Sequence, residues 1–350
     1  MERKIKILRL PKPTNPVDLQ RAEVFFGAYD CQMMVGPWEE LFYLGEESPR
    51  VCRFCKQTVP QVEFTRLAHV MPDFMGNRNI VSYFECDSCN QHFGKYEASF
   101  ANYLGLDRTF SQIKGKGGKI PTFMDKAGGL TVSVDDTGLH IESVSGKTDL
   151  VFNEELKSAE LVVNKSGYVP IHVLKLLLKI GFCLLPEEEL IHYEKLRRLL
   201  ITSQKDEIIR DYALLDVVIH YVPGPPFFSE PFAQLYMRKP EARESLVDKV
   251  FLLYYANYYM QVVMPFSTAE HERLVACHPP VTKLDVPVFP VLASAEHLAE
   301  YGPATFKRKR FTSTKKVKGE KQAYTLQFEY RQPLPLDDDN SLRDDSTLPD

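Results

Sequence analysis

Four cysteines constrain this chain more than any other feature of its sequence. They stand as Cys52-x-x-Cys55 and Cys86-x-x-Cys89, with thirty residues between the pairs. Each pair can grip one side of a tetrahedral ion. Four thiolates suit Zn²⁺ and leave no open coordination position, so the spacing predicts a structural zinc site. A redox Cys-x-x-Cys would not need a second pair. Cys31, Cys183 and Cys277 stand singly, and a total of seven argues against a secreted disulfide framework. The sulfurs therefore scaffold, and any chemistry lies between and after them.

Between the pairs run Ala68-His69-Val70-Met71-Pro72 and then Gly76-Asn77-Arg78-Asn79; Asn90 directly follows the last cysteine, and His92 comes two residues later. This order resembles the zinc-stapled HNH endonucleases of the ββα-metal type, over roughly residues 52 to 105. The resemblance implies hydrolysis of DNA phosphodiester bonds with 5′-phosphate and 3′-hydroxyl ends, in a setting such as bacterial defence against foreign DNA. It implies a catalytic Mg²⁺ or Mn²⁺ beside the structural zinc. His69 matches the general base, since a neutral imidazole near pH 7 can take a proton from an attacking water. Asn90 matches a ligand of the catalytic ion. Asn77 matches the residue that braces the loop, with Asn79 as its competitor for that place.

One position departs from the pattern. Where the family carries Asp, Glu or His before the general base, this chain has Ala68. Asp73 and His92 are the candidates to supply the missing ligand. Glu97 shares a helix face with Asn90 two turns away and reads as support rather than a ligand. Asp87 is a further residue that could reach inward. The competing reading is a catalytically inactive zinc-stapled module that binds nucleic acid or a protein.

The expected fold class is α+β: a ββα-metal HNH domain stapled by a four-Cys zinc site, then a larger mixed domain. Residues 1–50 read as a leader packing on the HNH domain at 51–112. A Gly/Lys-rich linker follows at 113–124, then an α+β domain at 125–332. Within that domain LTVSVDDTGLHIESV reads as a hairpin. Residues 169–201 read as two helices separated near Pro186, with Glu187–Glu189 opening the second. KVFLLYYANYYMQVVMPF, rich in aromatic and β-branched residues, reads as strands. Partner contacts, including a homo-oligomer, would fall to this domain.

Charge is unevenly spread. The chain carries −4 overall, but residues 333–350 hold six Asp and one Arg and read as a disordered acidic tail, so the remainder is near neutral. Two basic clusters are candidates for phosphate contact: Arg108, Lys114, Lys116 and Lys119 among glycines, and a stretch opening with Lys307, Arg308, Lys309 and Arg310. Each has a plain alternative, a solvated linker for the first and a lysine-guarded strand edge for the second. The apolar stretches near 169–186 and 250–266 are interrupted by Lys175, Lys179, Asn257 and Gln261, so neither reads as a membrane span. With no apolar signal segment at its start, the chain is expected to be cytoplasmic.

Overall fold

The computed structural model describes residues 13–327, apart from 14, 37–39, 126–127, 144–148, 156, 203–214, 280 and 282. The acidic tail expected at 333–350 lies outside the described residues.

Six antiparallel strands, numbered along the chain, form the main sheet. Their order is β1 (Tyr29–Val35), β11 (Phe228–Arg238), β12 (Lys249–Ala256), β13 (Tyr258–Val263), β10 (Asp216–Tyr221) and β14 (Thr305–Arg310). β12 is buried at every position. Its Phe251, Leu253 and Tyr255 enter one core, while Val250, Leu252 and Tyr254 enter another on the opposite face. A strand covered on both faces reads as an unbroken apolar run, which is how this one stands out in the sequence.

Helix α1 (Pro16–Ala28) covers the second face, with Phe25 stacked on Tyr29 and edge-on to Phe289. Asn15 caps its start by accepting a hydrogen bond from the Asp18 amide, and Pro16 occupies the first helical position. Helix α4 (Pro170–Cys183) covers the first face. Every one of its residues except His172 is buried, as befits a helix that is apolar all round. It lies between the sheet strands β11 and β12 and helix α2 (Asp87–Leu104). Gly181 permits the close approach, because a Cβ there would meet Met264 Sδ at 2.6 Å and Phe251 Cγ at 3.1 Å. Past Pro186 the expected second helix begins as a 3-10 stretch over Glu187–Tyr193. Only then does it become α5 (Glu194–Ile201).

The cysteine-bearing segment supplies β3 (Ala68–His69) antiparallel to β4 (Ile80–Ser82), followed by α2, in the predicted ββα order. The leader divides its contacts. β2 (Phe42–Leu44) pairs in parallel with β4, whereas α1 and β1 belong to the main sheet. After α2 come α3 (Asp107–Phe110), β5 (Phe123–Asp125) and the predicted hairpin of β6 (Leu130–Asp135) and β7 (Gly138–Ser143). The final three-stranded sheet is β15 (Lys321–Gln327), β9 (Ser158–Asn164) and β8 (Asp149–Asn153). Residues 113–124 are more than a spacer. Ile113 is buried, and Gly115 lies so near Phe74 that a Cβ would sit 3.1 Å from its Cα.

One hydrophobic cluster runs from Cys52, Phe54 and Phe93 through Leu174, Leu177 and Phe182 to Phe251 and Met264. The cysteine segment and the main sheet thus share a core through α4.

His220 makes the sheet acid-sensitive. Its ring stacks on Tyr259 at 4.3 Å, it is fully buried, and neither ring nitrogen has a hydrogen-bond partner. Burial pushes its pKa down to about 3, with Arg21 adding to the shift and Asp18 opposing it. The unfolded chain takes a proton below the ordinary value of 6.5, and the folded chain does not until about pH 3. Stability is therefore full above that ordinary value and falls with pH through this window, by about 1.4 kcal/mol per unit. His220→Phe should remove about 2 kcal/mol of the loss between pH 7 and pH 5, read as urea midpoints. An unchanged difference between the two pH values would contradict this account.

Candidate active site

The four sulfurs meet as the spacing requires. Their Sγ atoms lie within 4.8 Å of one another, with Cys55 and Cys86 3.8 Å apart. A tetrahedral ion bound at about 2.3 Å from each sulfur needs separations of about 3.8 Å, so the cluster fits Zn²⁺. The first pair sits on a tight turn: the Lys56 amide donates to the Cys52 carbonyl at 2.8 Å, and Lys56 has φ 63°. The second pair opens α2, with Cys86 as its N-cap and Cys89 in its first turn. Four thiols this close compete for charge. A hydrogen bond from Cys89 holds Cys52 down at about 5, while burial pushes Cys86 up to about 12. Only a bound cation lets all four ionise together.

Three contacts lock this staple onto the rest of the chain. Arg53 donates to the carbonyls of Phe182, Cys183 and Leu185 at 3.0–3.3 Å, capping the end of α4, and pairs with Glu187. Arg197 of α5 donates to the Phe54 carbonyl. Phe54 packs against Phe182 of α4, with ring centroids 5.6 Å apart.

His69 stands on β3, half-buried between buried Ala68 and Val70. Burial lowers its pKa; nearby Asp73 pulls the other way, and Lys179 pushes it lower still. Its imidazole is thus neutral at pH 7 and able to accept a proton. Its Nδ1 is buried without a hydrogen-bond partner. Asp73 starts the short 3-10 turn Asp73–Met75, which ends at Gly76 with φ 90°. A glycine suits that left-handed position.

Asn77 is fully committed to bracing this loop. Its Nδ2 donates to the carbonyls of Met71 (2.7 Å) and Ile80 (3.0 Å), and its Oδ1 accepts from the Ile80 amide (3.0 Å). Asn79 offers a backbone carbonyl to the Phe42 amide, tying β2 to the loop. Of the two asparagines, the buried Asn77 holds the bracing geometry.

Helix α2 begins three residues before Asn90, which puts Asn90 inside the first turns, half-buried, rather than at a cap. Glu97 lies two turns on, also half-buried. Burial raises its pKa, Lys179 opposes the shift and Asp73 adds to it. Asp73 and Lys179 thus act on both His69 and Glu97. Yet among the described residues only the four cysteines bring ligand atoms of His, Cys, Asp or Glu into a metal-sized cluster.

Two expected ligands point elsewhere. His92 is about 200° around the helix from Asn90, and its Nε2 lies 3.0 Å from Tyr96 Oη and 3.3 Å from the Leu200 carbonyl. It belongs to the packing against α5. Asp87 turns back to accept from the amides of Thr65 and Arg66, fixing the loop ahead of β3.

Residues 52–102 match the model of a family described as HNH endonuclease. This segment is an HNH domain. The match takes in both cysteine pairs, β3, the Asn77 loop and most of α2. It implies a nucleic-acid substrate and a divalent metal. No curated protein and no solved structure matches the chain. No helix among the described residues is long and apolar enough to cross a membrane.

The basic residues divide. Arg108 is turned inward, its guanidinium 4.7 Å from the Phe74 ring and its Nε buried without a partner. Lys114 and Lys119 are exposed, while the Lys116 side chain lies outside the description. Lys307 and Arg308 are exposed on β14, at the edge of the main sheet. Lys309 contacts Glu320 and Tyr168 Oη at 3.2 Å, and Arg310 pairs with Asp216 at 2.7 Å. Half of that run is therefore spoken for by the fold.

The sequence reading missed Lys179, Glu85 and Arg78. Arg78 is exposed and borders, with Lys114, a cleft of about 430 Å³ beside the Asn77 loop. Lys179 and Glu85 are almost completely buried and face each other at 2.9 Å. Two lysines, Lys175 and Lys179, within an otherwise apolar helix were the available signal.

Cys89→Ser should lower zinc from one ion per chain to nearly none and reduce the melting temperature, because metal affinity here is folding energy. Metal analysis and a thermal melt check this; full zinc retention would contradict the four-sulfur site. Asn77→Ala should cost about 2 kcal/mol by leaving the Met71 carbonyl and the Ile80 amide without this partner, while the Ile80 carbonyl keeps the Val70 amide, measured by chemical denaturation. A cost under 0.5 kcal/mol would show the loop is braced by other means.

Proposed function

We propose that this chain is a metal-dependent endonuclease that hydrolyses DNA phosphodiester bonds, with His69 as the general base. The observation that carries this reading is the half-buried imidazole on β3, held neutral by burial inside a four-sulfur HNH frame. His69 would take the proton of the attacking water. Asn77 fixes the loop that follows the base strand, and so its position. Asp73 and Asn90 offer hard oxygen donors of the type Mg²⁺ and Mn²⁺ favour, and buried Ala68 offers none. When bound, such an ion stabilises charge on the phosphate and the leaving oxygen. Arg78, Lys114 and Lys119 supply positive charge near the loop for the DNA backbone. Cleavage of foreign DNA in a cytoplasm belongs to the same proposal and draws on the family resemblance.

Buried Ala68 favours one other reading, a nucleic-acid-binding module without catalysis. A plasmid-nicking assay with Mg²⁺ or Mn²⁺ separates the two. His69→Ala should lower nicking at least about 100-fold, as expected for loss of a general base, with zinc content unchanged. Binding without nicking by the wild-type protein would support the inactive module instead.

A further inference from the structure

We propose that Lys179 of α4 is a positioning residue for His69, reaching from outside the HNH segment to hold the strand that carries the base. Its Nζ donates to the His69 carbonyl at 3.0 Å and lies 2.9 Å from Glu85 Oε2. Lys179 is 1% exposed and Glu85 2% exposed. The Glu85 contact is a buried ion pair, and the ammonium directs a further donor to the His69 carbonyl.

Four features make this contact more than packing. β3 is only two residues long, and few ladder bonds hold it to β4. A histidine's orientation is commonly set by a hydrogen bond at its second nitrogen, yet His69 Nδ1 has none. The backbone bond from Lys179 instead fixes the strand from which the ring projects. An ammonium is also a costly way to fill α4. A buried ion pair is weak evidence for stability, since apolar residues of similar volume often replace it without loss. The pair also joins three pieces at one point: α4, the His69 strand, and Glu85 between β4 and the zinc ligand Cys86. The consequence is that movement of α4 against the main sheet would be felt at the base.

The catalytic half of this inference rests on the endonuclease reading, while the strand-holding half does not. The test uses the full chain with Lys179→Met/Glu85→Met, which removes both charges and leaves no uncompensated ion. Lys179→Arg, which keeps a charged donor, is the companion variant. Hydrogen exchange reads the Val70 amide, bonded to the Ile80 carbonyl, against the Lys56 amide in the first cysteine turn. In the double variant Val70 should exchange about tenfold faster while Lys56 is unchanged. The single-turnover nicking rate should drop about 100-fold, the effect of a small misplacement, with DNA affinity within about twofold and zinc retained. Lys179→Arg should recover part of both losses.

Val70 protection equal to wild type in the double variant overturns the proposal. So does a wild-type nicking rate with zinc in place, or failure of both variants to fold, because a residue used only for positioning is dispensable to the core. If the wild-type protein nicks nothing with either metal, the endonuclease reading falls, and the exchange data still decide whether Lys179 holds the strand.

Discussion

Four sulfurs within 4.8 Å of one another cannot all carry charge unless a cation sits among them. That constraint organises everything around it. The first cysteine turn and the start of α2 are drawn to one point, so the loop between them must fold back. β3, the Asn77 loop and β4 occupy that returning path. His69 reaches its half-buried place because the path is short and braced at both ends. A metal with no open coordination position would do its work by geometry, and the proposed acid–base chemistry would fall to the imidazole it presents.

The staple is not self-sufficient. Arg53 caps α4, Arg197 holds the Phe54 carbonyl, and Lys179 enters from α4 to hold the His69 carbonyl. α4 in turn lies against β11 and β12 at a distance set by Gly181. A single core therefore connects the HNH segment to the six-stranded sheet. This arrangement gives the larger part of the chain a physical route to His69, since a tightly packed buried helix transmits displacement rather than absorbing it.

Much of this was legible in the residues. The cysteine spacing, the strand before Met71-Pro72, and the unbroken apolar run of β12 each reflect one dominant local requirement, and each folds as its pattern implies. The pairing of β1 with β11 was not legible, because it joins positions some two hundred residues apart and β1 alternates poorly. His92 misled because proximity in sequence to Asn90 means opposite faces on a helix. Half the Lys307–Arg310 run misled because Glu320 and Asp216, its partners, lie on other strands or at their ends. Lys179 was visible only as a break in an apolar stretch; its meaning required knowing that Glu85 and a backbone carbonyl would meet it.

The central claim is that a thiolate-bound ion scaffolds a second, oxygen-bound ion beside His69. Anomalous scattering from crystals grown with zinc and soaked in Mn²⁺ tests it most directly. The account predicts a zinc peak among the four sulfurs and a separate manganese peak within bonding distance of Asn90 or Asp73, facing the imidazole. A fully occupied zinc site with no manganese near His69 would contradict it.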